Sequence, residues 1–287
     1  MNKKSLLVLL LLAAMLTACS TPAATVTTDV AATEAPIAAE TAAPVETSAP
    51  EPVTLTVFAA ASLTDAFTEI GTAFQAQYPN VTISFNFAGS QALASQIVEG
   101  APVDVFASAN NSQMQVVVDA GLIPADTATA FVHNSLVIVT PADNPAGIDE
   151  LADLAQPGLT LVFAADTVPA GKYTIDLLTN ANATLGETFS ASVLANVVSY
   201  EDNVRSVLSK VELGEADAGV VYLSDSVTST SIQVIEIPDD MNVIATYPIA
   251  TVSASANADY AQAFVDFIYS TEAQEILTRY GFISVAR

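Results

Sequence analysis

The stretch Leu55-Thr56-Val57-Phe58-Ala59-Ala60-Ala61-Ser62-Leu63 passes from one hydrophobic period to another. Leu55 to Phe58 alternates and precedes small residues, which reads as a strand. From Ser62 the period lengthens: Leu63, Ala66, Phe67, Ile70 and Phe74 fall at i, i+3, i+4, i+7 and i+11, the core-facing stripe of a helix. Ser62 followed by Asp65 reads as a capping box with Asp in place of the preferred Glu. Tyr78-Pro79-Asn80 ends the helix, and Val81 to Phe87 is the next strand.

This strand–helix–strand order repeats along the chain. Ser90–Val98 reads as helix, Val103–Phe106 as strand, and Gln113–Ala120 as helix stopped at Gly121. Leu136–Thr140 and Leu159–Phe163 read as strands, and the Pro169-Ala170-Gly171 turn leads a helix through Leu178. Val204–Val211 is helical, Ala218–Tyr222 and Val234–Ile237 are extended, and Ala261–Tyr269 and Glu272–Tyr280 are helical. The alternation predicts an α/β architecture of mixed, mostly parallel sheets flanked by helices, with ligands at the carboxyl ends of strands.

Four of the helix starts carry a small or hydroxyl-bearing residue (Ser62, Ser90, Ala170) or an aliphatic one after an Asp-Asn turn (Val204), and Tyr222 closes a strand. A helix start offers unpaired N–H groups and a partial positive charge, so several aimed at one point form a pocket for an anion. Taken singly, each is an ordinary cap, loop or core tyrosine. Their agreement as a set is what points to a site.

Met1-Asn2-Lys3-Lys4, an apolar run from Leu6 to Leu16 and Leu16-Thr17-Ala18-Cys19 read as a secretory signal over residues 1–19. Its ending resembles the bacterial lipoprotein box, which would make Cys19 the lipidated first residue of a membrane-tethered, extracytoplasmic protein. Cys19 is the only cysteine, so an internal disulfide is excluded. Residues 20–52 are almost wholly Ala, Thr, Pro, Val, Ser and Glu without a period, the composition of a disordered tether. The remainder is long enough for two modest lobes.

The chain carries 31 acidic residues against 7 Lys and Arg, a net charge of −24. Nucleic acid is therefore excluded as a partner, since that contact depends on neutralising phosphates. Screening confines distant charge to about 8 Å at physiological salt, so N–H dipoles at contact can still hold an anion.

Taken in order, Val57–Leu63, Phe87–Ser90, Val168–Tyr173, Glu201–Arg205 and Gly219–Tyr222 resemble the periplasmic molybdate-binding protein of ABC transporters. Glu99–Asp104, Asn134–Val139 and Arg279–Phe282 extend that resemblance across the chain from Val53 onward. It implies two hinged lobes, residues 53–132 with 249–287 and residues 133–248, with crossings near His133-Asn134 and Tyr247-Pro248. It further implies an oxyanion, molybdate or tungstate, held by the hydroxyls and N–H groups of Ser62 and Ser90, the N–H groups of Ala170 and Val204, and the Tyr222 hydroxyl. No cofactor and no direct protein–metal ligand is implied; the partners would be the anion and an ABC permease, and the receptor a monomer. The same scaffold could serve sulfate or another oxyanion. This chain departs from the pattern at Gly89 and Gln91, which flank the second serine, and at Asn203, which adds a residue to the turn, so that the backbone donor there is either Asn203 or Val204.

The other polar residues read as structural. His133, the single histidine, has no cysteine or second histidine to make a metal site. Lys172 reads as a solvated lysine, Glu201 and Asp202 as charges favouring the following helix start, and Asp239-Asp240 as a solvated face. An enzyme using Ser62 and His133 is disfavoured, since no Gly-x-Ser-x-Gly elbow is present.

Overall fold

The alternation that begins at Leu55 buries Leu55, Val57 and Ala59 completely in strand β1 (Val53–Ala60). The computed structural model describes residues 51–285, all within one compact unit. The signal, Cys19 and nearly all of the tether lie outside the described residues. A single 3-10 turn, Ala61–Leu63, joins β1 to helix α1 (Thr64–Gln77), whose Ala66, Phe67, Ile70 and Phe74 are buried as the 3.6 period requires. The capping box expected of Ser62 and Asp65 is not formed. α1 has no side-chain cap, and both residues are drawn instead to partners more than 100 positions away.

The chain continues through β2 (Val81–Ala88), α2 (Ser90–Val98), β3 (Val105–Ala107), α3 (Asn111–Asp119) and β4 (Thr129–Asn134). A second series follows: β5 (Leu136–Pro141), β6 (Leu161–Ala164), α4 (Pro169–Leu185), α5 (Phe189–Ala195), β7 (Val197–Glu201), α6 (Val204–Glu212), β8 (Ala218–Tyr222), the short α7 (Leu223–Ser226) and β9 (Ile232–Glu236). β10 (Ala245–Thr251), α8 (Ala258–Ile268), α9 (Thr271–Arg279) and β11 (Ile283–Ser284) close the described chain.

These strands form two mixed sheets, ordered β11-β4-β10-β3-β1-β2 and β7-β6-β8-β5-β9. Among the described residues, four strand pairs are parallel and five antiparallel, a more even mixture than the alternation alone suggests. The chain leaves the first sheet after Asn134, enters the second at Leu136, and returns between Glu236 and Ala245. Tyr247 and Pro248 therefore lie inside β10 rather than at the return crossing. Proline is tolerated there because the register shifts between the two residues, and a bulge releases the ladder bond that proline cannot donate.

The first sheet packs on an aromatic cluster. The Phe67 ring lies 5.8 Å from Phe131 and 6.1 Å from Phe264, and Phe74 lies 5.3 Å from Phe264. In the second sheet β6 and β8 are buried along their whole length, consistent with strands covered on both faces. Two rigid sheets thus present their strand ends and helix starts to a common region.

Candidate functional site

Each site element begins where a strand stops. β1 delivers Ser62 into the 3-10 turn, β2 delivers Ser90 as the first residue of α2, and the loop after β6 delivers Ala170 as the second residue of α4. The loop after β7 delivers Val204 as the first residue of α6, and β8 ends in Tyr222. N–H groups in a first helical turn have no partner four residues back, so they are free to meet a ligand. All five residues, together with Asn203, Gly89 and Ala109, line one small cavity of about 10 Å³ that no charged side chain lines.

Close backbone approach makes this convergence possible. A Cβ on Gly171 would fall 2.0 Å from the Ala165 carbonyl oxygen, so only glycine lets α4 start against the end of β6. A Cβ on Gly89 would fall 2.4 Å from the Asp202 carbonyl oxygen, which belongs to the other sheet's side of the cavity. Gln91 Nε2 donates to that same oxygen at 2.7 Å. The two departures flanking Ser90 are thus the residues that touch the opposite wall.

The hydroxyls around the cavity are buried and ordered. Ser62 Oγ lies 2.9 Å from the Tyr247 hydroxyl, and Ser90 Oγ accepts from the Ala109 amide at 3.0 Å. Tyr222 is 1% exposed, and its hydroxyl makes no close hydrogen bond among the described residues but sits within reach of the Tyr247 hydroxyl. Burial pushes the Tyr222 and Tyr247 hydroxyls well above the usual tyrosine range, so both stay protonated. A fully buried, protonated hydroxyl on a cavity wall is a donor that a ligand there can use.

The nearest cation is engaged elsewhere. Arg205 follows Val204, but its Nη2 donates to Asp65 at 2.7 Å and its Nε lies 2.7 Å from Asp225 Oδ1. Burial pushes the Asp225 carboxyl up to about 6, against the pull of Arg205 and of the Tyr222 amide that Asp225 accepts. Lys172 pairs with Asp176 at 3.1 Å on the exposed surface. Glu201 binds Lys210 at 2.5 Å and Ser199 at 2.6 Å; burial raises its carboxyl, and these hydrogen bonds outweigh that and hold it below the usual range. The cap of α6 is Asn203, whose side chain accepts from the Ser206 amide, so neither Glu201 nor Asp202 serves as that cap. His133 Nδ1 lies 3.2 Å from Thr246 Oγ1, and the described residues hold no cluster of metal-ligating side chains.

Tyr247, Asn134 and Ala109 were not singled out as site residues from the sequence. Their signal is a long-range hydrogen bond, which no local spacing encodes.

Two mixed sheets sharing a small cavity of neutral donors define a solute-binding protein. The family model for bacterial extracellular solute-binding proteins matches residues 55–283. The molybdate-binding protein ModA of Mycobacterium tuberculosis is 40% identical over 229 residues, covering 79% of this chain and 84% of that protein. ModA of Escherichia coli is 36% identical over 235 residues, covering 79% and 88%. The solved periplasmic molybdate-binding protein of Azotobacter vinelandii superposes with a TM-score of 0.70 at 19% identity, covering 81% of this chain and all of that one, and shares the fold. The chain belongs to the bacterial extracellular solute-binding proteins, among the ModA molybdate-binding proteins. It is a receptor and not an enzyme.

Proposed function

We propose that this receptor captures molybdate, and tungstate as a second ligand, between its two sheets and delivers it to an ABC permease. The observation that carries the reading is the cavity itself. Ser62 and Ser90 on one side face Ala170, Val204 and Tyr222 on the other, with no charged side chain among them. A dianion leaving water loses a large solvation energy, and converging neutral donors replace it without a buried countercharge. In this reading the oxyanion meets the hydroxyls and N–H groups of both serines, the N–H groups of Ala170 and Val204, and the Tyr222 hydroxyl, and no protein atom touches the metal.

The two sheets with their helices act as lobes that turn about the two crossings, and closure both seals the anion and forms the surface the permease recognises. The lipobox-like ending at Cys19 supports a lipid anchor, with residues 20–52 as the tether. A Cys19→Ser chain released from the membrane fraction would support the anchor, and one that stays there would refute it.

The test of function is thermal unfolding of the part after the tether with molybdate, tungstate, sulfate or phosphate at equal ionic strength. A ligand at 100 times its dissociation constant adds about 2.7 kcal/mol of stability. Molybdate and tungstate are expected to stabilise most. Equal stabilisation by sulfate would make this a general oxyanion receptor.

A further inference from the structure

We propose that Gln91 and Gln113 are positioning residues that clamp the two turns presenting Ala170 and Val204. Each reaches from a helix beside the first sheet and holds a turn of the second by a backbone carbonyl. The inference rests on the receptor reading above and adds what sets the lifetime of the bound anion.

The two contacts are of one kind. Gln91 Nε2 donates to the Asp202 carbonyl oxygen at 2.7 Å, and Gln113 Nε2 donates to the Thr167 carbonyl oxygen at 3.3 Å. Asp202 stands just before Asn203, the cap of α6, and Thr167 just before Val168, the cap of α4. A cap's own carbonyl accepts the first bond of its helix, as Val168 does from the Lys172 amide at 2.9 Å. The carbonyl one residue earlier lies outside that pattern and is open to a donor from elsewhere. Both glutamines thus hold a donor turn by an acceptor its helix leaves over, and the first N–H groups of the turn stay free to face the cavity.

Neither side chain is used by its own helix. Gln113 is the third residue of α3, where the side chain of a capping box would turn back to the amide of the cap. That amide, on Asn110, meets Ser108 Oγ at 3.3 Å, and the Gln113 side chain extends to Thr167 instead. Gln91 is the second residue of α2, next to the cap Gly89 and Ser90. Gly89 has φ −59° and ψ 135°, a conformation open to any residue, so the backbone does not call for glycine there. Space does: a Cβ would fall 2.5 Å from both Nε2 and Oε1 of Gln91. The side chain missing at position 89 is the room in which the Gln91 amide lies. Turning that amide over would set Oε1 against a carbonyl oxygen, so its partner fixes Nε2 as the donor.

On the closing motion proposed above, both bonds exist only while the two sheets are together. When the sheets part, the amides and carbonyls return to water, so the clamp acts on release of the anion and not on its encounter. Its donors and acceptors are neutral, and it lacks the salt sensitivity of the Arg205–Asp65 pair.

Release of radiolabelled molybdate into an excess of unlabelled molybdate, with association measured alongside, tests this on the wild type, Gln91→Met and Gln113→Met. Methionine keeps the length and bulk of glutamine and removes the donor. Gln91→Met is expected to release molybdate about three- to tenfold faster, the scale of one neutral hydrogen bond, and Gln113→Met, which loses the longer bond, about twofold faster. Association should stay within about twofold of the wild type, and the faster release should be the same at low and high salt. A wild-type release rate in either variant overturns the proposal, as does a loss of affinity carried by slower association. A lower ligand-free melting temperature with unchanged release would make the glutamines structural and overturns it too. Failure of the wild type to bind molybdate would instead sink the receptor reading itself.

Discussion

Arg205 Nη2 donates to Asp65 Oδ2 at 2.7 Å, joining the first turn of α6 on one sheet to the first turn of α1 on the other. The same guanidinium reaches Asp225 on its own side, and Thr228 Oγ1 adds a bond to Asp65 Oδ2 at 3.2 Å. One cation thus ties the turn that carries Val204 to the elements that carry Ser62 and Tyr222, without entering the cavity.

The two carboxylates should respond differently to mutation. Asp225 is fully buried, so Arg205→Gln strands a charge and is expected to lose about 3–5 kcal/mol of stability. The Asp65 side chain is 32% exposed, and Asp65→Asn leaves the Arg205–Asp225 pair intact, so its stability change should stay within about 1 kcal/mol. Its signature is instead faster anion dissociation, because a bond across the two sides is gone. Urea unfolding with stopped-flow release separates these effects, and equal destabilisation by both variants would contradict the division.

The Asp225 carboxyl carries a pH dependence of defined sign. Its value rises from 3.8 to about 6 in the folded protein, chiefly through burial. The folded state therefore holds more protons than the unfolded one between those values, and stability falls as pH rises through that window. This contribution is fully present below pH 3.8 and lost above about 6. Glu201, held low by Lys210, works in the opposite sense, so the comparison must be with Asp225→Asn. The stability of the wild type relative to that variant should decline from pH 4 to pH 6 and then level off; a flat difference would argue against the titration.

Gly89→Ala is expected to act on closure alone. The new methyl would meet the Asp202 carbonyl across the cavity at 2.4 Å, while α2 gains a residue with ordinary φ at its cap. Stability without ligand should change by less than about 1 kcal/mol, while anion affinity falls by at least about tenfold. Melting and titration on the same sample read both, and a large loss of ligand-free stability would show that the contact matters to folding as well.

Tyr222→Phe is expected to act on binding rather than on the fold. The hydroxyl it removes is buried and makes no close hydrogen bond, so the ligand-free stability should change by less than about 1 kcal/mol. Anion affinity should drop by about ten- to hundredfold, the scale of one hydrogen bond to a charged group. A loss of ligand-free stability would place the hydroxyl in a structural bond instead.

The sequence revealed most where a local period was strong. The α1 stripe and the strand–helix alternation were legible because burial of Leu63 to Phe74 repeats with the helical period. The five cavity residues were legible as a set because each sits at a change of period, where one element must end. β4, with its half-exposed Thr129, Ala130 and His133, and the short α5 and β7 lacked a clear period and were not read. β10 was missed because Pro248 reads as a break, and only the bulge against β4 reconciles it with a strand. Ser62 and Asp65 looked like a local cap, yet their partners Tyr247 and Arg205 lie 185 and 140 positions away. Spacing in sequence carries no information about contacts of that range.

Only Ser135 separates β4 from β5. A link of one residue spans about 7 Å between the positions it joins and has no slack, so it can swivel but cannot lengthen. The bonds from Asn134 to Ser224 and Tyr247 sit beside that link. On the hinge reading proposed above, motion between the two sheets is expected to be rotation about this link, with little room to slide.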